Sequence, residues 1–224
     1  MARSTTAADA RGPQIASALE TLADALSTLT DPQWEAESLC EGWSTKVAVA
    51  HLAWRVGSPT SRLATDVARA TVAGRHLNPM ASFDGIARER AAAASGPDLV
   101  GELRLIAADK RAGRGRTNPG ELFEVVVHGY DAAHPSGLRV PFAATATHAV
   151  GRQAASLAAP RVRFALRTRT MLAGDDGWSV GRGPVIEGTA ESVILYLTGR
   201  RSPKVGRRRV LAPLPPGAPH PGIV

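Results

Sequence analysis

Pro119-Gly120-Glu121-Leu122-Phe123-Glu124-Val125-Val126-Val127-His128-Gly129-Tyr130-Asp131 is the stretch on which the reading of this chain turns. At helical periodicity Glu121, Glu124, His128 and Asp131 share one face of an otherwise apolar helix, and the Cβ atoms of Glu124 and His128, four apart, lie roughly 5–6 Å from each other. The apolar neighbours place this helix inside the protein, where a carboxylate is neutralised, paired or bound to a metal. The Glu-x-x-x-His spacing suits a divalent-metal ligand pair, and it also suits a plain intrahelical pair. Asn118 is a good N-cap, Pro119 a good first helical residue, and Glu121 falls three residues after the cap. Glu121 therefore reads as a capping-box carboxylate rather than a ligand. Asp131 reads equally as a group that orients a ligand and as the partner of an arginine. The helix should end near Ser136-Gly137.

Upstream, Ile15, Leu19, Leu22, Leu26 and Leu29 recur at spacings of three and four, which predicts an amphipathic helix ending before Asp31-Pro32. After a loop from Asp31 to Trp43, a second helix starts at Ser44 and runs toward Gly57. It carries His51 on the face of Val47, Ala48 and Trp54. On such a face a histidine is commonly a hydrogen-bonded core residue, but His51 is the best candidate for a third metal ligand. With Glu124 and His128 it would supply two nitrogens and a carboxylate, leaving positions open on the ion. Trp43 and Trp54 read as core. Further helices follow Pro59 and span Phe83 to Ala94 and Pro97 to Ala112, before a basic, flexible linker from Gly113 to Thr117.

Downstream, a helix from Ala143 to Ala158 precedes a change of character. Val162, Phe164 and Leu166 alternate with arginines, the period-two signature of a strand with one wet face. The turn Gly174-Asp175-Asp176-Gly177 leads to a hairpin partner at Trp178-Ser179-Val180. Val185-Ile186-Glu187 makes a third strand, and Thr189 to Thr198 a terminal helix closed by Gly199. The pattern is thus α+β, with a flexible start at residues 1–14, a helical body at 15–140, a small α+β unit at 141–210 and a Pro/Gly-rich tail at 211–224.

Composition narrows the function classes. The chain has 224 residues, 44% of them hydrophobic, enough for a sizeable core. Its +7 formal charge is almost all arginine, since Lys46, Lys110 and Lys204 are the lysines; such a bias reads as a GC-rich bacterial genome as readily as a function. Cys40 is the one cysteine, which excludes an internal disulfide and a thiolate cluster, and with no activating base nearby in sequence it reads as a packing residue. No signal peptide or membrane-spanning run is recognisable, so a cytoplasmic protein without membrane attachment is expected. A pI near 10.6 and Arg207-Arg208-Arg209 raise nucleic acid as a partner. There is, however, no stacking-aromatic pattern, zinc-finger spacing or clear recognition helix, so a solvated arginine-rich surface is the better reading and no nucleic-acid partner is expected.

Three motifs carry a family resemblance. Ser38-Leu39-Cys40-Glu41-Gly42-Trp43-Ser44-Thr45-Lys46 followed by Val49-Ala50-His51-Leu52, then Glu124-Val125-Val126-Val127-His128-Gly129-Tyr130-Asp131, then Glu191 to Leu197 with Thr198-Gly199-Arg200, together resemble the mycothiol-dependent maleylpyruvate isomerase family of the DinB-like metalloenzyme superfamily. The resemblance implies a four-helix bundle holding a divalent metal, usually zinc (Zn2+), through His51, Glu124 and His128. It also implies a C-terminal α+β domain like the sterol-carrier-protein fold, flanking a cleft that takes the thiol mycothiol. Ala132-Ala133-His134-Pro135 departs from the basic or aliphatic residues expected after the second motif, and this leaves the substrate open. The expected activity is isomerisation or conjugation of a small electrophile by a metal-bound thiol, in a monomer or a homodimer. The alternatives are a non-catalytic metal- or thiol-binding sensor and, behind it, a basic nucleic-acid-binding protein.

Overall fold

The structure, a computed structural model, describes residues 11–74 and 78–200. The expected tail at 211–224, Arg207-Arg208-Arg209, His76 and His220 lie outside the described residues. The chain divides into two compact units with the boundary between Pro141 and Phe142.

The first unit is helical. Helix α1 (Arg11–Leu26) buries Ile15, Leu19, Leu22 and Leu26 completely. It starts four residues before the periodicity predicts and stops at Leu26, so Arg11 to Gln14, expected in a flexible start, form its first turn. The loop expected after it contains a short helix, α2 (Asp31–Glu35), which buries Trp34. Helix α3 (Thr45–Gly57) is capped by Ser44, whose hydroxyl accepts from the Val47 amide. Helices α4 (Thr60–Gly74), α5 (Pro79–Ala93) and α6 (Gly96–Arg111) follow, and α7 (Pro119–Ala133) carries the striped sequence. A 3-10 turn at His134–Ser136 prolongs α7 to Gly137.

Four of these helices make a bundle, in which α1 packs on α6 and α7, and α3 on α7 and α6. Its core joins the α1 leucines to Val49 and Leu52 of α3, Leu99 and Leu103 of α6, and Val125 and Val126 of α7. Helices α4 and α5 lean on the outer side of α3, where Trp54, Leu63 and Ile86 form a satellite cluster with Phe83. Burial all round, rather than along one stripe, explains why α3 shows little amphipathic pattern: ten of its thirteen residues are buried.

The N-terminus of α7 corrects one reading. Asn118 occupies the cap position without a side-chain cap bond, and Glu121 does not close a capping box. Its carboxylate is buried between Lys110 Nζ at 3.1 Å and Arg116 at 3.0 Å. The linker before α7 is pinned accordingly: Arg116 also donates to the carbonyls of Ser58 and Arg55. Two cations from α6 and the linker compete for the carboxylate that a free helix end would have used for its own amides.

The second unit opens with helix α8 (Ala144–Leu157) and helix α9 (Pro160–Thr168). Helix α9 occupies the segment expected as a strand. The residues it turns inward, Val162, Ala165 and Leu166, lie at helical spacing, while Phe164, which the alternating pattern needs inside, is exposed. Pro160 at the first helical position favours this outcome. The first strand comes afterwards, as β1 (Thr170–Ala173), pairing antiparallel with β2 (Trp178–Gly181) and parallel with β3 (Val185–Gly188) in the order β2-β1-β3. Helix α10 (Ala190–Leu197), capped by Thr189, closes the unit. Trp178 packs flat against α8 at Gly151, where a Cβ would come within 2.5 Å of the indole, and its Nε1 donates to Thr147 Oγ1. The whole is α+β, a helical bundle followed by a small three-stranded unit.

Candidate metal centre

Helices α3 and α7 lie side by side in the bundle and bring His51 against Glu124 and His128. One donor atom from each lies within 4.8 Å of the other two. His128 Nε2 stands 3.1 Å from Glu124 Oε2, as the four-residue spacing predicts. The His51 and His128 rings are edge-on with centroids 5.1 Å apart. His51 is 6% exposed, and its Nδ1 is buried with no hydrogen-bond partner. A buried imidazole nitrogen with nothing to bond is costly, so the place invites a further donor or a cation.

The electrostatics of the two histidines are opposite. Burial, assisted by the charges of His128 and Arg55, pulls His51 down to about 3, so its ring is neutral at physiological pH. Burial also works against a proton on His128, but bonds to Asp131, Cys40 and Glu124 outweigh it and raise His128 well above its usual value. Burial likewise opposes ionisation of Glu124, yet His128 and Arg55 bring its carboxyl down to about 2. His128 thus sits between the carboxylates of Glu124 and Asp131, which hold its proton when they are its only partners.

Behind His128 lies a second layer. Asp131 Oδ2 is 3.1 Å from His128 Nδ1, and Cys40 Sγ donates to the same oxygen at 3.2 Å. Cys40 is also 3.6 Å from His128 Nδ1, and Cys40, His128 and Asp131 form a second group of donor atoms within 4.8 Å of one another. Asp131 therefore stands against the Nδ1 side of His128, where it can orient the ring. The loop delivers Cys40 because its neighbour Leu39 donates its amide to the Asp131 carbonyl at 3.0 Å. Cys40, read as a packing residue, thus also meets polar groups of α7 that the local sequence does not show.

Two further residues stand at the site that the sequence does not assign to it. Arg55, one turn after His51, holds Glu124 at 2.9 Å and lies over the Phe83 ring. Its place four residues after His51 was the available signal. Trp43, read as core, is half-buried and stands 4.9 Å from His51, its indole nitrogen donating to Asp84 at 2.7 Å. Trp54 is core, as expected. Glu121 stays outside the site, in its own ion pairs.

Comparisons with known proteins agree with this architecture. Residues 15–133 match the family described as the mycothiol maleylpyruvate isomerase N-terminal domain. A crystal structure of the mycothiol-dependent maleylpyruvate isomerase superposes with a TM-score of 0.51 at 16% identity, covering 94% of this chain and 97% of that one. A mutant of that enzyme gives a TM-score of 0.45 at 14% identity, covering 88% and 90%. No curated protein sequence matches the chain.

Proposed function

This chain belongs to the mycothiol maleylpyruvate isomerase family, and from that premise we propose a metal-dependent enzyme that uses a low-molecular-weight thiol, mycothiol or a relative, to isomerise or conjugate a small electrophile. The observation that carries the metal is the partnerless Nδ1 of buried His51 beside Glu124 and His128. Two imidazole nitrogens, once His128 has given up its proton, and a carboxylate would make the donor set of an open divalent site, and zinc is the ion that suits it best. A bound ion supplies Lewis acidity, which keeps a thiol deprotonated at neutral pH.

The chain's own residues prepare the site. Asp131 fixes the His128 ring through Nδ1, leaving Nε2 facing Glu124; this is the usual way a carboxylate orients a ligating histidine. Cys40 donates to Asp131 and steadies it. Arg55 neutralises Glu124 and sets its orientation, and Trp43 and Phe83 wall the His51 side against water. In an isomerisation, a thiolate sulfur adds to one carbon of a conjugated double bond, and the electron pair moves onto the neighbouring carbonyl. Rotation about the new single bond and expulsion of the thiolate restore the double bond in the other geometry. In a conjugation, a proton quenches the adduct and the thioether persists. The cytoplasm, where thiols stay reduced, is the compartment this chemistry needs.

The test has two parts. Elemental analysis of the native protein should find close to one divalent ion per chain, lost in folded His51→Ala, Glu124→Ala and His128→Ala. Turnover of a cis-unsaturated diketo acid such as maleylpyruvate should then require both that ion and the thiol. Unchanged metal content in the folded variants would sink the assignment. A non-catalytic thiol or metal sensor is the second reading, favoured by Arg55, whose guanidinium pairs with the Glu124 carboxylate and would compete with a cation for it. Binding of thiol without turnover of any electrophile would select it.

A further inference from the structure

In the C-terminal unit, we infer a binding site for a small organic anion carrying two or more phosphate or carboxylate groups, in the cavity lined by Arg163, Arg167 and Arg182. The cavity has a volume of about 690 Å³ and is completed by Leu166, Ala155 and Gly181. It is an open concavity rather than an enclosed one, and the three arginines that line it are exposed.

Residues 142–200 contain seven arginines, no lysine and four carboxylates. In the helical unit most described arginines are held by carboxylates, as Arg90 is by Glu102 and Arg111 by Glu20. Among the described residues, Arg163, Arg167 and Arg182 have no carboxylate partner. The strand register shows why. Thr170 pairs with Gly181 at the end of the sheet beside the cavity, whereas Ala173 pairs with Trp178 and Gly188 at the other. Asp175 and Asp176 lie in the turn at that far end, Glu187 is paired with Leu172 next to it, and Glu191 follows in the first turn of α10. At about 3.3 Å per residue the two ends are on the order of 10 Å apart, about one screening length at physiological salt. The positive and negative groups of this unit are thus separated along the strands.

Geometry supplies the rest. Arg163 and Arg167 are four apart on α9 and project from one face, while Arg182 comes from the end of β2. Its backbone is tied to α9 by its amide, which donates to the Leu166 carbonyl at 2.9 Å. Between them, Gly181 has φ +98°, and a Cβ there would meet the Arg169 carbonyl oxygen at 2.2 Å, so the wall at this point is bare backbone. Guanidinium forks match phosphate and carboxylate oxygens two at a time, and three such groups around one concavity focus a positive potential into it. Leu166 and Ala155 give an apolar wall for the carbon part of the ligand.

The experiment is isothermal titration of the full chain with pyrophosphate and, separately, with citrate, at low and physiological salt. Saturable binding of one anion per chain is expected for at least one of them. The better of the two tells a phosphate site from a polycarboxylate one. Arg163→Gln, Arg167→Gln and Arg182→Gln should each weaken it at least tenfold with the circular-dichroism spectrum unchanged, and Arg182→Lys should weaken it less than Arg182→Gln. Arg152→Gln, on α8 and outside the cavity lining, should leave affinity within twofold. No saturable binding of either anion, or equal weakening by Arg152→Gln, overturns the site. So does tight binding of a single-stranded oligonucleotide with none of the small anions, which would make the face a nucleic-acid surface. Metal content and thiol-dependent turnover are read separately, so a failure here leaves the proposal for the helical unit standing.

Discussion

At the scale of single residues, the pairing of Asp131 with His128 is the most informative contact in the chain. A carboxylate 3.1 Å from Nδ1 fixes both the ring and the tautomer, and leaves Nε2 for Glu124 or a metal. Asp131→Asn keeps the shape but can misdirect the tautomer. It should weaken metal affinity by about 10- to 100-fold, the usual effect of removing such an orienting group, as measured by competition with a chromogenic chelator. Equal affinity in the variant would show that Asp131 only fills space. Cys40 acts one step further out, through Asp131 Oδ2. Cys40→Ser retains a donor of similar size and should keep the metal, with turnover within about threefold of the parent. Cys40→Ala, which removes roughly one modest hydrogen bond of about 1 kcal/mol, should fall between Cys40→Ser and Asp131→Asn. A Cys40→Ser variant that retains metal but has no turnover would instead make the sulfur a reacting group.

Among the elements, α3 and α7 were legible and α9 was not, for a physical reason. The helices of the bundle announce themselves through residues three and four apart, and that local spacing also placed Glu124 beside His128. Which helix faces which is set by packing at long range, so Arg55 holding Glu124, sixty-nine residues on, left no local trace. Cys40 meeting Asp131 is another contact of this kind. In α9 two periodicities compete in a short segment, and tertiary packing selected Val162, Ala165 and Leu166 over Val162, Phe164 and Leu166. Glu121 was misread because its capping role is local, whereas Lys110 approaches from the end of α6. That misreading is testable as energetics. Glu121→Leu leaves the Lys110 ammonium, 3% exposed, without its carboxylate. Breaking a buried pair from one side costs about 3–5 kcal/mol, so urea unfolding should show a loss of that size with metal content per folded chain unchanged. Adding Lys110→Met should restore most of the loss, because the stranded charge is gone. A Glu121→Leu loss below about 1 kcal/mol would return Glu121 to the role of a helix-end residue worth roughly a cap.

For the molecule as a whole, the two histidines of α3 and α7 make stability depend on pH from both sides. His51 titrates at about 3 when folded and near 6.5 when unfolded. Below about 6.5 the unfolded chain therefore binds a proton the native one lacks, and stability falls as the pH falls, by up to about 1.4 kcal/mol per pH unit. Glu124, brought down to about 2, adds to this slope below its ordinary value. Glu121, which burial raises against the pull of Lys110 and Arg116, opposes it just above that value. His128 acts in the other direction. Its folded form holds a proton well above 6.5, so its contribution is complete below 6.5 and is lost as the pH rises toward its folded value. Chelator-treated protein should accordingly show its highest Tm near pH 6.5, with a fall on either side. His51→Gln should flatten the acid limb and His128→Gln the alkaline limb. Metal changes the balance, because ligation requires a neutral His128 and so releases its proton, which makes binding tighter as the pH rises. Zinc should therefore shift the Tm maximum upward from 6.5 and erase the alkaline limb in the parent, but not in His128→Gln. A metal-free Tm that rises steadily from pH 6 to 8, or a zinc effect that survives in His128→Gln, would remove His128 from the centre of the site.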